Sequence, residues 1–297
     1  MKKHYRFYLL LLSFASLLAG AAAGPGMLVD TDWLHKNLNN KALAIVDMSD
    51  RFQYQRFHIP GAVHLPYHAI NRRLKNGVSL RVDDSKLLAI LGALGIDRKT
   101  HVVIYDDTGG LNAGRLFWEL ERLGHPKVSV LNGGLVSWIL QGHKVDNRLS
   151  VRKKTVYQLP AGFKPKNNLI DLAGVKGLNS KKTFLLDVRT RLEYMGTKKD
   201  RRSGHIPGAL WWPWSDTIDL SKGFKHRDSA ELLKSLAKIG IQDKKAPVVV
   251  YCRSGHRAAQ AYMTLRFLGF SDVKLYDGSI LEYATDKSVA FNQGLAP

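Results

Sequence analysis

Cys252 is the single cysteine of a 297-residue chain, and it opens the run Cys252-Arg253-Ser254-Gly255-His256-Arg257 directly after the apolar stretch Val248-Val249-Val250-Tyr251. A thiol attacks as its thiolate, and thiolate is favoured where cations and unpaired amide hydrogens converge. Two arginines and a histidine fall within five positions, and a helix-compatible stretch, Ala258 to Leu268, follows. A buried cysteine that only fills space is common, but two arginines and a glycine around it argue against that use. The pattern points to nucleophilic chemistry on an anionic substrate.

Such a loop needs a strand to present it and a helix to receive it, and the rest of the chain supplies both twice. His58-Ile59-Pro60-Gly61-Ala62 returns as His205-Ile206-Pro207-Gly208-Ala209, and Leu28-Val29-Asp30 as Leu169-Ile170-Asp171. Val102-Val103-Ile104-Tyr105 returns as Val248-Val249-Val250-Tyr251, and Asn132-Gly133 as Asp277-Gly278. Self-similarity on this scale reads as a tandem duplication. Its expected layout is an amino-terminal signal segment over 1–23, one repeat over 24–150, a polar basic linker over 151–168 and a second repeat over 169–297.

Within each repeat, short β-branched runs alternate with helical patterns. Strands are predicted near Ala44 to Asp47, Val102 to Tyr105 and Val128 to Leu131, then near Thr183 to Asp187, Val248 to Tyr251 and Val273 to Tyr276. Helices are predicted near Asp84 to Leu94 (capped by Asp84 or Ser85), Gly114 to Leu123, Leu135 to Leu140, Ala230 to Ile239 and His256 to Leu268. The fold class is α/β, two similar domains, each a mainly parallel sheet with helices on both faces. In such sheets ligands bind beyond the carboxyl ends of the strands, where Cys252 lies.

The duplication also separates shared from private residues. His58 with His205, and Asp47 with Asp187, occur in both repeats and read as structural; Cys252 is private to the second. At its place the first repeat has Asp106, followed by Asp107-Thr108-Gly109-Gly110. Carboxylates there repel an anion, so the first repeat is expected to be catalytically silent. No further ligand spacing supports a metal or acid–base role for them, and no cofactor or metal is implied.

Lys plus Arg number 45 against 25 Asp plus Glu, a formal charge of +20. Lys2, Lys3 and Arg6, the apolar run Phe7 to Leu18 and Ala21-Ala22-Ala23 have the form of a secretory signal cleaved near Ala23, which predicts a soluble exported protein in a bacterial periplasm. One cysteine cannot form an internal disulfide there. No nucleic-acid motif, aromatic–basic ladder or zinc spacing is present. The clusters Arg152-Lys153-Lys154, Lys181-Lys182 and Lys198-Lys199-Asp200-Arg201-Arg202 read as solvated faces that concentrate small anions.

Taken together, the strand-ending aspartates, the His-Ile-Pro-Gly-Ala segments, the Val-Val-Val-Tyr-Cys strand end with its six-residue loop, and Leu131-Asn132-Gly133-Gly134 with Trp138 resemble the two-domain rhodanese-type sulfurtransferases. The resemblance spans essentially the whole mature chain. It implies an inactive first domain and a catalytic second one, with Cys252 carrying a persulfide and Arg253, Ser254, Gly255, His256 and Arg257 binding the substrate. It also implies a small anionic sulfur donor and a thiol, cyanide or protein acceptor. Where the familiar enzymes have a donor-binding arginine ahead of a Gly-Thr pair, this chain has Glu193-Tyr194-Met195-Gly196-Thr197. That role then passes to Arg191, Arg253, Arg257 or to no residue. Trp211, Trp212 and Trp214 read as core, with walling of a pocket as the alternative. A cysteine phosphatase or arsenate reductase is the competing enzyme class, disfavoured because four residues, not five, separate Cys252 from Arg257. An exported thiol or persulfide sensor without turnover is the non-enzymatic alternative.

Overall fold

The structure is a computed structural model, and it describes residues 26–297. The predicted signal segment and the cleavage expected near Ala23 lie outside the described residues. The first repeat runs β1 (Leu28–Val29), α1 (Thr31–Asn37), β2 (Leu43–Asp47), α2 (Arg51–Arg56), β3 (Val63–His64), β4 (Asn71–Arg73), β5 (Ser79–Arg81), α3 (Asp84–Ala93), β6 (His101–Tyr105), α4 (Ala113–Arg122), β7 (Val128–Leu131) and α5 (Gly134–Leu140). The second runs β8 (Leu169–Ile170), α6 (Leu172–Lys176), β9 (Phe184–Asp187), α7 (Arg191–Met195), β10 (Ala209–Trp211), β11 (Ile218–Asp219), β12 (Lys225–His226), α8 (Ser229–Lys238), β13 (Val248–Tyr251), α9 (His256–Phe267), β14 (Val273–Tyr276) and α10 (Ser279–Tyr283).

Each repeat builds a five-stranded parallel sheet, in the order β1-β7-β6-β2-β3 and, matching it, β8-β14-β13-β9-β10. The interior strands β2 and β13 are buried throughout, as their apolar runs require when helices cover both faces. Aspartates start half of the α-helices among the described residues. Asp30, Asp50, Asp171 and Asp228 each accept a backbone N–H of the first turn. The α3 cap is Asp83, one residue earlier than the sequence suggested: its carboxylate receives the Lys86 N–H at 2.8 Å, whereas Asp84 turns to Arg81 and Arg122.

Strand ends are fixed by the residues common to both repeats. The Asp47 carboxylate accepts the Ser49 N–H at 2.7 Å, and that of Asp187 accepts the Arg189 N–H at 3.0 Å. His58 bridges the carbonyls of Tyr54 and Arg148, and His205 those of Tyr194 and Ala296. These are anchoring contacts, in keeping with a structural reading of all four residues.

The two repeats share one core. Val46, Ile104 and Leu116 from the first belong to the same buried cluster as Val250, Ala258 and Met263 from the second. Helices α4 and α9 meet so closely that a Cβ on Gly114 would lie 2.8 Å from the Gln260 backbone. The segment 151–168 contains no helix or strand but is bound along the first repeat. The Thr155 N–H reaches the Gly92 carbonyl at 2.9 Å, and the Tyr157 hydroxyl bonds His125 at 2.7 Å.

Candidate active site

Cys252 follows the last residue of β13 and is buried, 1% exposed. Its loop is shaped from below by the turn after β14. The Ser279 hydroxyl accepts the N–H groups of Cys252 and Gly255, each at 3.1 Å, and donates to the Tyr276 carbonyl at 2.8 Å. Ser279 adopts φ of +52°, a left-handed conformation that side chains other than glycine seldom take. At the same place the first repeat has Gly134, at φ of +53°. A glycine would therefore suit the backbone, and the serine is explained by its hydroxyl. Gly255 has φ of +79°, and a Cβ on it would come within 2.6 Å of the Asp277 carbonyl, so loop and turn are in direct contact.

Helix α9 begins at His256, so its first-turn amide hydrogens, without intrahelical acceptors, face the loop. The first repeat shows what that geometry is for. Asp106 is buried, and its carboxylate accepts four backbone N–H groups: Thr108 and Gly110 at 2.9 Å on one oxygen, Asn112 at 2.7 Å and Ala113 at 2.9 Å on the other. A built-in anion fills the cradle there. In the second repeat the corresponding residue is Cys252.

The remaining loop residues take distinct positions. Arg253 is exposed and lines an open cleft of about 440 Å³ together with Arg189, Glu193, Thr197, Arg202 and Leu281. Arg257 is not free: its guanidinium forms a two-pronged pair with Glu193, both contacts 2.7 Å. Burial alone would raise the Glu193 carboxyl, but the hydrogen bonds and charge of Arg257, aided by Thr190, bring it down to about 2. Glu193 also completes a capping box with Thr190 at the start of α7. Arg191 is exposed one residue after that cap. Trp212 is in the core, its indole N–H on the Ser235 hydroxyl, and Trp211 donates to the Arg189 carbonyl.

His256 points to the first repeat. Its Nε2 is 2.7 Å from the Asn112 side-chain oxygen, and its ring lies 4.0 Å from that of Tyr67. Burial, then the charges of Arg115 and Arg257, lower its pKa to about 4, so the imidazole is neutral at pH 7. Arg115, fully buried in α4, reaches across to Asp277 at 2.5 Å, and the Arg81 N–H reaches the other oxygen of that carboxylate at 2.6 Å. Sequence reasoning named none of Tyr67, Asn112, Arg115 or Ser279 as site residues.

A comparison with protein-family models matches the rhodanese-like domain to residues 30–141 and again to 174–286. The chain belongs to the rhodanese family. Its relatives among characterised proteins include the thiosulfate sulfurtransferase of Mus musculus, 31% identical over 279 residues that cover 86% of this chain and 91% of that protein. The mitochondrial thiosulfate/3-mercaptopyruvate sulfurtransferase 1 of Arabidopsis thaliana is 32% identical, covering 86% and 76% respectively. The sulfur carrier protein TtuD of Thermus thermophilus is 30% identical, covering 92% and 98%. Among solved structures, the anaerobic ergothioneine biosynthesis enzyme of Chlorobium limicola superposes with a TM-score of 0.78 at 23% identity, over 90% of this chain and 70% of that one; this likeness concerns the fold alone. This rhodanese is thus a two-domain α/β sulfurtransferase of the thiosulfate sulfurtransferase type.

Proposed function

We propose that this rhodanese takes the outer sulfur of thiosulfate onto Cys252 and passes it to a thiophilic acceptor. The observation that carries the reading is the pair of matching cradles: one holds the Asp106 carboxylate permanently, the other a lone thiol flanked by Arg253 and Arg257. Backbone amides that hold a carboxylate in one repeat are suited to hold a persulfide or sulfonate in the other.

The step balances without a cofactor. The Cys252 thiolate attacks the outer sulfur, the S–S bond of thiosulfate breaks, and sulfite leaves with the electron pair. A Cys252 persulfide remains, carrying one negative charge. An acceptor thiolate or cyanide then attacks its terminal sulfur and releases the Cys252 thiolate. Arg253 at the cleft mouth attracts the dianion. Ser254, His256 and Arg257 contribute backbone donors, Gly255 supplies the turn while its own N–H is held by Ser279, and the Arg257 side chain adds charge only to the extent that Glu193 releases it. The same reading includes export, with cleavage near Ala23.

Intact mass before and after thiosulfate tests the chemistry: the wild type should gain one sulfur atom and lose it to cyanide, and Cys252→Ser should gain none while folding normally. Substantial turnover by Cys252→Ser would end the proposal. Amino-terminal sequencing of the protein from its host should begin at about Gly24, and an intact Met1 form as the sole product would exclude export by this route.

A further inference from the structure

The inference concerns what the first repeat does for Cys252, and it rests on the Cys252 site proposed above. Two reciprocal contacts join the repeats. The Arg81 N–H, on the β4–β5 hairpin, donates to Asp277 of the second repeat, and the His226 N–H, on the β11–β12 hairpin, donates to the Asn132 side chain of the first at 2.8 Å. Asn132 and Asp277 occupy the same turn in their respective repeats, one residue before Gly133 and Gly278.

The symmetry fails at one point. Counting back from the helix-ending glycines Gly124 and Gly269, Arg115 of α4 corresponds to Gln260 of α9. Arg115 is 0% exposed and reaches Asp277 across the interface. Gln260 donates to Thr217 of its own repeat. A buried cation–carboxylate pair therefore holds only the turn beneath the thiol loop; the turn beneath Asp106 has the neutral Asn132. Asp277 packs against Gly255, and Ser279, two residues on, carries the Cys252 and Gly255 amides. The Arg115 Nε and Nη2 have no hydrogen-bond partner, and the guanidinium lies 4.7 Å above the Trp118 ring, so its interaction is directed at Asp277. Burying an ion pair is a poor route to stability, whereas fixing one arrangement is a documented use of such groups.

We infer that Arg115, in the repeat without a nucleophile, is a positioning residue for the Cys252 loop, acting through the Asp277–Ser279 turn. The first repeat is then silent in chemistry but required for the geometry of the second.

The experiment uses the full chain. Arg115→Gln combined with Asp277→Asn removes both charges together and gives each position the residue type found at its counterpart in the other repeat, Gln260 for Arg115 and Asn132 for Asp277, which favours folding. Arg115→Lys retains the cation as the conservative control. For the double variant, kcat should fall on the order of tenfold to a hundredfold, as displacement of reacting groups by about an ångström does, with KM for thiosulfate within about threefold. Alkylation of Cys252 by iodoacetamide should slow in parallel, and Arg115→Lys should recover most of both rates. A folded double variant with wild-type kcat and alkylation rate would overturn the inference, and so would a loss confined to KM, which would place Arg115 in substrate binding. If the wild type gained no sulfur yet alkylation slowed in the variant, the sulfur-transfer reading would fall and the positioning inference would stand.

Discussion

Glu193→Gln tests the least expected feature of the cleft, a carboxylate at the position of the donor-binding arginine. The variant keeps the size of the side chain and removes its charge, so the two-pronged contact with Arg257 loses its ionic character. The displacement of the Glu193 carboxyl from 4.5 to about 2 corresponds to about 3 kcal/mol in favour of the ionised, paired form if undiluted. Its side chain is 31% exposed, and solvent screening reduces this to about 1–2 kcal/mol. Because the folded-state value is depressed, that stabilisation is complete above the unfolded value of 4.5 and is lost as pH falls through about 2. The variant should therefore unfold in urea with a deficit of about 1–2 kcal/mol at pH 7, and the deficit should narrow below pH 4.5. Release of Arg257 gives the thiosulfate dianion an unopposed cation. The same interaction bounds the gain, so KM for thiosulfate should drop by roughly three- to tenfold, less at high salt. Initial rates with cyanide as acceptor, at low and high ionic strength, supply the measurement. A variant that loses the expected stability while its KM is unchanged or higher would refute the idea that Glu193 restrains the charge of Arg257.

Asp106→Asn should cost about 2–3 kcal/mol of stability, since charge-assisted bonds from buried amides are weakened, yet turnover by the folded variant should stay within a few-fold of wild type; a hundredfold loss of kcat would give the first cradle a part in the chemistry. Arg253→Gly should lower kcat/KM for thiosulfate more than for the singly charged 3-mercaptopyruvate, with the difference shrinking as salt is added. Equal effects on the two donors would show that Arg253 does not select by charge.

The parts of this rhodanese legible in its sequence are those governed by local rules. β-Branched runs such as Val248–Tyr251, alternating with helical patterns, point to a covered parallel sheet, and comparison of the repeats separated Cys252 from the shared His205 and Asp187. Two-residue edge strands such as Leu28–Val29 and Leu169–Ile170 are too short to show a period, and they exist because a neighbouring strand offers hydrogen bonds. The cross-repeat contacts were hidden for a different reason. Arg115 and Asp277 are far apart in sequence, and no pattern in either segment announces the other. Two signals were nonetheless present. Arg115 interrupts the otherwise apolar helical run Gly114, Leu116, Phe117 and Trp118, which is buried all round, so a cation there must find a partner. Asp277-Gly278-Ser279 reads as a weaker version of Asn132-Gly133-Gly134, although its two differences are the carboxylate that Arg115 holds and the hydroxyl that carries the loop.

The reciprocal clasp of Arg81 on Asp277 and His226 on Asn132 has the logic of an isologous dimer, in which each partner offers the other the same patch. In a dimer of identical chains, any substitution appears on both sides of the axis at once, so a cation placed under one turn is placed under both. A covalent tandem lifts that constraint. Here one copy has, where the other has its thiol, a carboxylate that satisfies its own cradle, and a cation in that copy's helix serves the turn of the other. Fusion has turned a symmetric pair into a division of labour, and separating the halves at the 151–168 strap would remove from Cys252 the residues on the far side of the seam.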